Sequence, residues 1–533
     1  MRSRTFWAVQ APRHRYNATT DRPLPALESD GPSRKERSMG AISRRTFMKG
    51  ATLGAVACLH PAWLRQAFAA GEETGLSPAA MRRILKAALA RGGDYADLYL
   101  ETRRQTNIRI ADSEIKSMEH GILAGGGVRT VAGEKTGYAY AETFDAGALE
   151  GVASSAARIE EAGRASEPQG LHLVDVPRIV AYDEPIGGTP VADKVALLER
   201  VDRAARAVSP HVTQVSIDYR DSEQDFTIAA SNGTLAEDNL PVIYLRVNVS
   251  AARGDANAEG MYRLSGRRGM ELLDGDAPER AGREAAEQAV RMLDARPAPT
   301  GELPVVIAAG GGVMFHEAVG HGLEADAILR DASVFAGRIG ERVASELVTL
   351  YDDSTIPGAR GSFDVDDEGT PAANTLLIEK GVLRSFLHDR RTARLMSAAP
   401  TANGRRMSFR HPAIVRMSNT NLAPGTLSPG EVLRGTQHGV YAVSFGGGEV
   451  DPTSGQFTFG LREAYLIEDG KVTAPIRGAN LVGSGPDVLQ QIDRVGADFG
   501  DWPGTCGKGG QWVPVTSGCP TLRIAKITVG GTA

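Results

Sequence analysis

Two histidines and one glutamate fall close together in the second half of the chain. His316 is followed directly by Glu317, and His321 comes five residues after His316. Neutral imidazole nitrogen is a good ligand for zinc, and a carboxylate beside such a ligand can accept a proton from water. The three residues therefore predict a zinc-dependent hydrolytic site. Two hydrogen-bonded histidines in the core of a helix would leave the same pattern.

The spacing of the two histidines restricts the backbone between them. On a regular α-helix, residues five apart lie about 140° apart around the axis, so the two rings would not face one ion. Gly320 and Gly322 stand on either side of His321, and glycine makes a wider or interrupted turn inexpensive. We therefore expect the helix either to widen, for example as a π-bulge, or to end between the two histidines.

A catalytic zinc ion requires a third protein ligand and one open position. Carboxylate, imidazole and thiol side chains in the second half of the chain supply the candidates, which are Glu324, Asp326, His388, His411, Cys506 and Cys519. Cys506 is favoured because its small neighbours allow close backbone approach and Lys508 favours the thiolate. A disulfide between Cys506 and Cys519 is the competing interpretation.

Two further features are candidates for contact with a substrate. Gly446, Gly447 and Gly448 would allow an extended chain to lie close to the backbone, although a simple turn or bulge would use the same residues. His411 could orient a carbonyl group, but a lone histidine is more often a surface or packed residue.

The overall charge excludes one class of function and leaves an ordinary globular protein. Lys and Arg number 60 against 65 Asp and Glu, which gives a formal net charge of -5, and 42% of the residues are hydrophobic. Nucleic-acid binding draws its affinity from a basic surface, so nucleic acid is not an expected partner. The acidic run Asp364, Asp366, Asp367 and Glu368 is predicted to be a solvated loop, with calcium binding as the alternative.

The elements that position these residues predict an α+β protein. Helical periodicity after Ser77, from 145 to 159, from 192 to 208 and from 277 to 293 alternates with blocks of antiparallel-type strands. The segment 296–301 is typical of a linker. We therefore predict an amino-terminal α+β domain over residues 70–296 and a carboxy-terminal domain over residues 297–533. A chain of this length commonly divides in this way.

The amino terminus is predicted to be a targeting segment rather than part of the folded domains. Residues 1–38 look like a disordered or mis-assigned leader, and residues 39–69 combine Arg44 and Arg45 with a short apolar run and small residues. This order is typical of a twin-arginine export signal, which predicts a periplasmic protein. The apolar run is shorter than the roughly 20 residues needed to span a bilayer.

Several blocks of residues together resemble the TldD branch of the TldD/PmbA family of zinc metallopeptidases, over essentially the whole predicted mature chain. The blocks are the run from His316 to Arg330, Ser333 to Gly337, Gly340, Ala344 to Leu347, Asp352 and Asp353, Asn403 to Arg406, Arg416, Met417, Asn419 to Asn421, Phe445 to Gly448, Ser484 and Gly485, Cys506 to Lys508, and Thr528 to Thr532.

This resemblance implies a zinc ion bound by His316, His321 and Cys506, with Glu317 as the general base. It also implies a β-rich, barrel-like carboxy-terminal domain that carries a metal-binding helix. The implied substrates are peptides or unfolded proteins, and the implied partner is a homologous subunit that lacks the zinc motif. The alternatives are an amidase that matures a modified peptide or cofactor, and a non-catalytic scaffold subunit with structural zinc.

Overall fold

The structure is a computed structural model, and it describes residues 75–159 and 164–531. The predicted leader and export signal lie outside these residues. In the described part of the chain, no helix combines the length and the apolar composition needed to cross a bilayer. No signal peptide is shown, which corrects the prediction of a twin-arginine signal and a periplasmic location.

The described residues form helices, short 3₁₀ turns and 23 strands. The helices are Pro78–Leu89 (α1), Ala146–Ala156 (α2), Val191–Arg206 (α3), Ala277–Met292 (α4), Val313–Ala318 (α5), Ala325–Leu329 (α6), Arg390–Leu395 (α7), Pro429–Arg434 (α8) and Gly485–Gln490 (α9). The 3₁₀ turns are Ala157–Ile159, Ile186–Gly188, Met270–Leu273 and Gly320–Leu323.

The strands fall into two long runs. Those of the first half are Tyr95–Ala111 (β1), Glu114–Ala132 (β2), Lys135–Ala141 (β3), His172–Leu173 (β4), Val212–Ala230 (β5), Thr234–Arg253 (β6) and Ala256–Gly266 (β7). Those of the second half are Arg296–Pro297 (β8), Gly301–Ile307 (β9), Leu350–Asp353 (β10), Asn374–Glu379 (β11), Val382–Leu383 (β12), Gly404–Arg405 (β13), Ile414–Val415 (β14), Asn419–Leu422 (β15), His438–Val450 (β16), Gln456–Glu468 (β17), Lys471–Arg477 (β18), Ala479–Ser484 (β19), Ile492–Val495 (β20), Gly500–Lys508 (β21), Gln511–Cys519 (β22) and Leu522–Gly531 (β23).

The amino-terminal half is one mainly antiparallel sheet with helices packed on it. Its seven strands have the order β3-β2-β1-β5-β6-β4, with β7 paired to β6. The four predicted helices are confirmed as α1 to α4, and the Ser77 hydroxyl caps α1 by accepting a hydrogen bond from the backbone N–H of Ala80. Helices α1 and α2 share one apolar cluster with the sheet, and α3 and α4 share another.

The carboxy-terminal half contains a closed ring of strands, which confirms the prediction of a barrel-like domain. Five strands of an eight-stranded sheet follow the order β16-β9-β23-β19-β17, and β17 also pairs with β16, which closes the ring. A six-stranded sheet of order β12-β11-β10-β15-β22-β21 lies beside it. One apolar cluster includes residues of α5, the ring and the second sheet, so the helix that carries His316 is fixed by both.

The predicted linker is partly a strand. Arg296 and Pro297 form β8, which pairs in parallel with Ile476 and Arg477 of β18 at the end of the barrel sheet. The chain then enters β9 at Gly301. The domain boundary between residues 296 and 297 stays a prediction.

The acidic run predicted as a solvated loop is buried, so that prediction is wrong. Glu368 and Asp97 of β1 both form ion pairs with the buried Arg129 of β2. Arg406 donates to the backbone carbonyl of Asp367 at 2.8 Å and lies 3.3 Å from Asp97. The run connects the amino-terminal sheet to the carboxy-terminal half, because its carboxylates pair with cations as far as 239 residues away along the chain.

Candidate metal centre

The helix that carries His316 ends before it reaches His321. Helix α5 stops at Ala318, and Val319 leaves the helical region with φ of -123° and ψ of -50°. Residues Gly320–Leu323 then form a 3₁₀ turn. The helix therefore ends between the two histidines instead of widening, which is one of the two expected outcomes. The change in backbone direction brings the His321 ring next to that of His316, with ring centroids 5.6 Å apart.

The glycines beside His321 are required by packing. A Cβ atom on Gly320 would lie 2.1 Å from the Met417 sulfur, and one on Gly322 would lie 2.9 Å from the Phe335 ring. Such distances are far inside van der Waals contact. The two glycines therefore do more than ease the end of the helix, because close packing of the turn against the core also excludes a side chain at both positions.

Four potential ligand side chains converge at this turn. One donor atom from each of His316, Glu317, His321 and Cys506 lies within 4.8 Å of the others. Cys506 is buried on β21, and its Sγ lies 3.2 Å from His321 Nε2. Sulfur and nitrogen ligands of a tetrahedral zinc ion lie about 3.6 Å apart, so the set is close to the size that such an ion requires.

The hydrogen bonding of the donor atoms is also that of a metal site. His316 Nε2 is buried and has no hydrogen-bond partner among the described residues. A buried nitrogen without a partner is destabilising unless something accepts its lone pair. The residues present therefore fit a metal ion bound through two imidazoles and a thiolate.

Glu317 is the most exposed member of the set. Its side chain is 29% exposed, and Oε2 lies 3.6 Å from His321 Nε2. Glu317 and His321 line a cavity of about 530 Å³, together with Glu449, Val450 and Lys508. A peptide segment could therefore reach the carboxylate from this cavity.

Each histidine is held through its second ring nitrogen. His321 Nδ1 lies 2.8 Å from Glu324 Oε2, and Lys508 Nζ donates to that same oxygen at 3.0 Å. His316 Nδ1 lies 3.3 Å from the Thr420 hydroxyl, which donates to Asp352 at 3.0 Å. Partners of this kind fix the orientation of a ligating imidazole and leave its Nε2 free to bind.

The charges in the cluster favour a thiolate. Burial alone would raise the pKa of Cys506, but His316 and His321 outweigh it and hold that pKa well below its usual value. Burial alone would lower the pKa of His321, but Glu324 and Cys506 raise it well above the ordinary range. The two shifts favour a charged sulfur at Cys506, and binding of a metal ion at the imidazole nitrogens would compete with protons there.

The other candidates for a third ligand lie outside the cluster. Cys519 and Cys506 are both free, so the competing disulfide is not formed. Burial raises the pKa of Cys519 to about 12, and His388 is a buried residue whose pKa burial lowers to about 4. Asp326 forms an ion pair with Lys508. Glu324 contacts a histidine of the cluster rather than joining it.

The candidates for substrate contact separate into two groups. His411 is absent from the cluster and from the residues that line its cavity, and its Nδ1 lies 3.2 Å from the Ser408 hydroxyl. Gly446, Gly447 and Gly448 are exposed on β16, directly before the two strand residues that line the cavity. Only the glycines therefore lie along a path that leads to the cluster.

Two residues of the site were missed in the sequence. Thr420 lies 104 residues from its partner His316, and Asp352 lies 68 residues from Thr420. Local spacing gives no signal for contacts of this range. Both residues fall in blocks that carry the family resemblance, which is the one signal that could have pointed to them.

Comparison with known proteins agrees with the geometry. Residues 96–161, 184–293 and 300–531 match domain 1, the central domain and the C-terminal domain of the PmbA/TldA metallopeptidases. A metalloprotease TldD homolog of Haemophilus influenzae is 41% identical over 473 residues, which cover 86% of this chain and 97% of the relative. The chain belongs to the TldD/PmbA family. It is accordingly a metallopeptidase.

Two more distant proteins are similar to this chain, one in sequence and one in fold. A zinc metalloprotease TldD homolog of Saccharolobus solfataricus is 26% identical over 461 residues, covering 85% of this chain and all of the relative. The crystal structure of TldE from Thermococcus kodakarensis superimposes with a TM-score of 0.68 at 19% identity, covering 85% of this chain and all of that chain. This second likeness shows the fold alone.

Proposed function

We propose that the protein is a zinc-dependent metallopeptidase that hydrolyses peptide bonds in peptides or unfolded proteins. His316, His321 and Cys506 bind Zn2+, and Glu317 is the general base. The observation that carries this proposal is the convergence of four donor side chains on a point beside an open cavity, with one buried imidazole nitrogen left without a partner.

The donor set favours zinc over the other common metals. Two imidazoles and a thiolate suit zinc, whereas magnesium and calcium prefer oxygen ligands. The printed name of the Saccharolobus solfataricus relative, a zinc metalloprotease, supports the same choice. When bound, zinc supplies Lewis acidity, which acidifies water and polarises a peptide carbonyl.

Glu317 performs the proton transfers. Its carboxylate lies beside the donor set and is partly exposed to the cavity. It accepts a proton from the attacking water at Oε2 and then donates that proton to the leaving amine, as a general base and acid in turn. A structural zinc site would have no use for this residue, which argues against a scaffold role.

The substrate lies as an extended strand beside β16. Residues 440 to 442 of β16 pair with β9 on one side, but from Phe445 to Val450 the pairing found among the described residues is with β17 alone. The open edge includes Gly446, Gly447 and Gly448 and leads to Glu449 in the cavity. Pairing through main-chain groups tolerates varied side chains, as hydrolysis of unfolded chains requires.

The partner in this proposal is a homologous subunit that lacks the His-Glu motif. The likeness of the fold to TldE supports a pairing of two related chains. An amidase that matures a modified peptide or cofactor would use the same donors and the same base, so the choice between these substrates is made by experiment.

Replacement of Glu317 by glutamine tests the proposal. The variant should retain zinc, because the three ligands are unchanged. Its kcat/KM on an unfolded polypeptide should fall by about 10²- to 10⁴-fold, the usual contribution of a general base. Glu346→Gln, on an exposed carboxylate outside the cavity, is the matched control.

Metal content and cleavage are measured on the same preparations, with and without a chelator. Normal cleavage by Glu317→Gln would reject the base assignment. Chelator-resistant cleavage by the unmodified protein would reject zinc dependence.

A further inference from the structure

We propose that Glu324 is a positioning residue for His321, and that Lys508 holds Glu324 in place. The inference rests on the proposed function, since it concerns one of the zinc ligands. It assigns to the pair a role that is not ligation: the orientation of His321 and the alignment of the strand that carries Cys506 before any metal binds.

The contact to His321 fixes its proton. The Glu324 side chain is 1% exposed, and its Oε2 lies 2.8 Å from His321 Nδ1. A carboxylate can only accept, so the proton of the ring stays on Nδ1. The lone pair of Nε2 is then directed to the side of the ring where Cys506 Sγ lies 3.2 Å away.

Lys508 neutralises this buried carboxylate and has no unused donors. Its ammonium group contacts Glu324 Oε2 at 3.0 Å, Asp326 Oδ1 at 2.6 Å and the backbone carbonyl of Val415 at 3.0 Å. An ammonium group has three N–H donors, and all three are used. The surrounding residues therefore hold Lys508 in one position.

Lys508 also fixes the strand that supplies the thiol. Cys506 and Lys508 are two residues apart on β21, so their side chains point to the same face of the sheet. The segment after α5 and strand β21 are therefore joined twice, once through the donors at His321 and Cys506 and once through the ion pairs of Lys508. The second connection needs no metal, so it aligns the two halves of the site in advance.

The two histidines are held unequally. His316 depends on the neutral hydroxyl of Thr420, at 3.3 Å, whereas His321 depends on a charged carboxylate at 2.8 Å. Hydrogen bonds to charged groups are roughly twice as strong as neutral ones. Loss of Glu324 should therefore weaken zinc binding more than loss of the Thr420 hydroxyl.

The experiment measures zinc affinity by competition with a chromophoric chelator, on purified full-length protein. Glu324→Ala should raise the zinc Kd by about 10- to 100-fold, as is usual for the partner of a metal ligand. Glu324→Gln should have a smaller effect, because its amide oxygen can still accept from Nδ1. Thr420→Val should also have a smaller effect than Glu324→Ala.

Lys508→Met should raise the zinc Kd by a similar factor, and the Lys508→Met, Glu324→Ala double variant should be little worse than either single variant. Lys526→Met, in an exposed ion pair with Glu302, is the matched control and should bind zinc normally. Far-UV circular dichroism and metal-free unfolding identify any variant that does not fold. If Glu324→Ala does not fold, Glu324→Gln replaces it in the test, and its zinc Kd should rise by at least threefold.

Zinc affinities of Glu324→Ala or Lys508→Met within twofold of the unmodified protein would overturn the inference, as would simple addition of their two effects. Peptide cleavage is recorded separately. Absence of zinc-dependent cleavage in the unmodified protein would reject the proposed function while leaving the affinity result intact.

Discussion

Two buried clusters of polar and charged side chains differ in how their members face one another. In the interface cluster, formed by Asp97, Arg129, Glu368 and Arg406, carboxylates face guanidinium groups and neutralise them. In the donor cluster, formed by His316, Glu317, His321 and Cys506, groups with lone pairs face one another, and His316 Nε2 has no partner among the described residues. Opposite charges are paired in the first cluster, although Nε and Nη1 of Arg406 have no hydrogen-bond partner among the described residues. The donor atoms of the second cluster could instead hold a metal ion.

The difference shows that burial alone does not identify a reactive site. Both clusters are largely buried and contain groups with shifted pKa values. Burial lowers the pKa of Arg129, but Asp97 and Glu368 outweigh it and raise that pKa well above its usual value. A structural ion pair and a reactive site can therefore both shift pKa values, and a shifted pKa alone does not distinguish them.

The largest expected difference is in thiol reactivity without metal. In a Cys58→Ala background, Cys506 at pH 7 should react with a disulfide reagent at least about a thousandfold faster than Cys519. With a pKa of about 12, Cys519 has a thiolate fraction of about 10⁻⁵ at this pH, and the weaker nucleophilicity of a low-pKa thiolate recovers only part of that gap. Single-thiol variants separate the two rates.

Added zinc should suppress the Cys506 reaction and leave Cys519 unchanged. Equal rates for the two thiols, or a Cys506 rate that zinc does not alter, would mean that the donor cluster is neither charged nor metal-binding.

The second largest expected effect is a loss of stability when the interface cluster is disrupted. Arg129→Met should lower the free energy of unfolding by about 3 to 5 kcal/mol, because it removes the cation that pairs with buried Glu368 and leaves buried Asp97 with Arg406 alone. The loss should be the same with and without zinc. Urea unfolding of the metal-free and zinc-loaded proteins measures it.

Arg83→Met is the control for this loss, since Arg83 forms an exposed ion pair with Glu150 and should cost no more than about 1 kcal/mol. If Arg129→Met lost no more unfolding free energy than the control, ion pairing would not be what stabilises the interface cluster.

The smallest effect is the stabilisation that zinc gives. At a free zinc concentration 100 times its Kd, the unmodified protein should gain about 2.7 kcal/mol of unfolding free energy. Cys506→Ala should lose this gain at the same zinc concentration, and Cys519→Ala should keep it. Retention of the full gain by Cys506→Ala would place the metal elsewhere.

The sequence predicted what depends on side-chain chemistry and short spacing. Helices α1 to α4 and the α+β class follow from periodicity, and the interruption between His316 and His321 follows from helix geometry. The choice of Cys506 over the other candidates rests on small neighbours and a nearby lysine, and the structure places its sulfur beside the two rings.

What the sequence could not supply are contacts between distant segments. The polar composition of the acidic run predicts a solvated loop, but Arg129, 239 residues away from Glu368, offsets the cost of its burial in the folded chain. The contacts of Glu324, one of the six candidates for the third ligand, were out of reach for the same reason. Lys508, which donates to its carboxylate, lies 184 residues later.

The long separation between His321 and Cys506, 185 residues, affects the moment at which activity can begin. A ribosome adds about 5 to 20 residues per second, so roughly 10 to 40 s pass between synthesis of the two. With the proposed zinc ligands, the emerging polypeptide lacks its sulfur donor during that time. The order of the residues along the chain would thus delay the start of cleavage until most of the protein has been made.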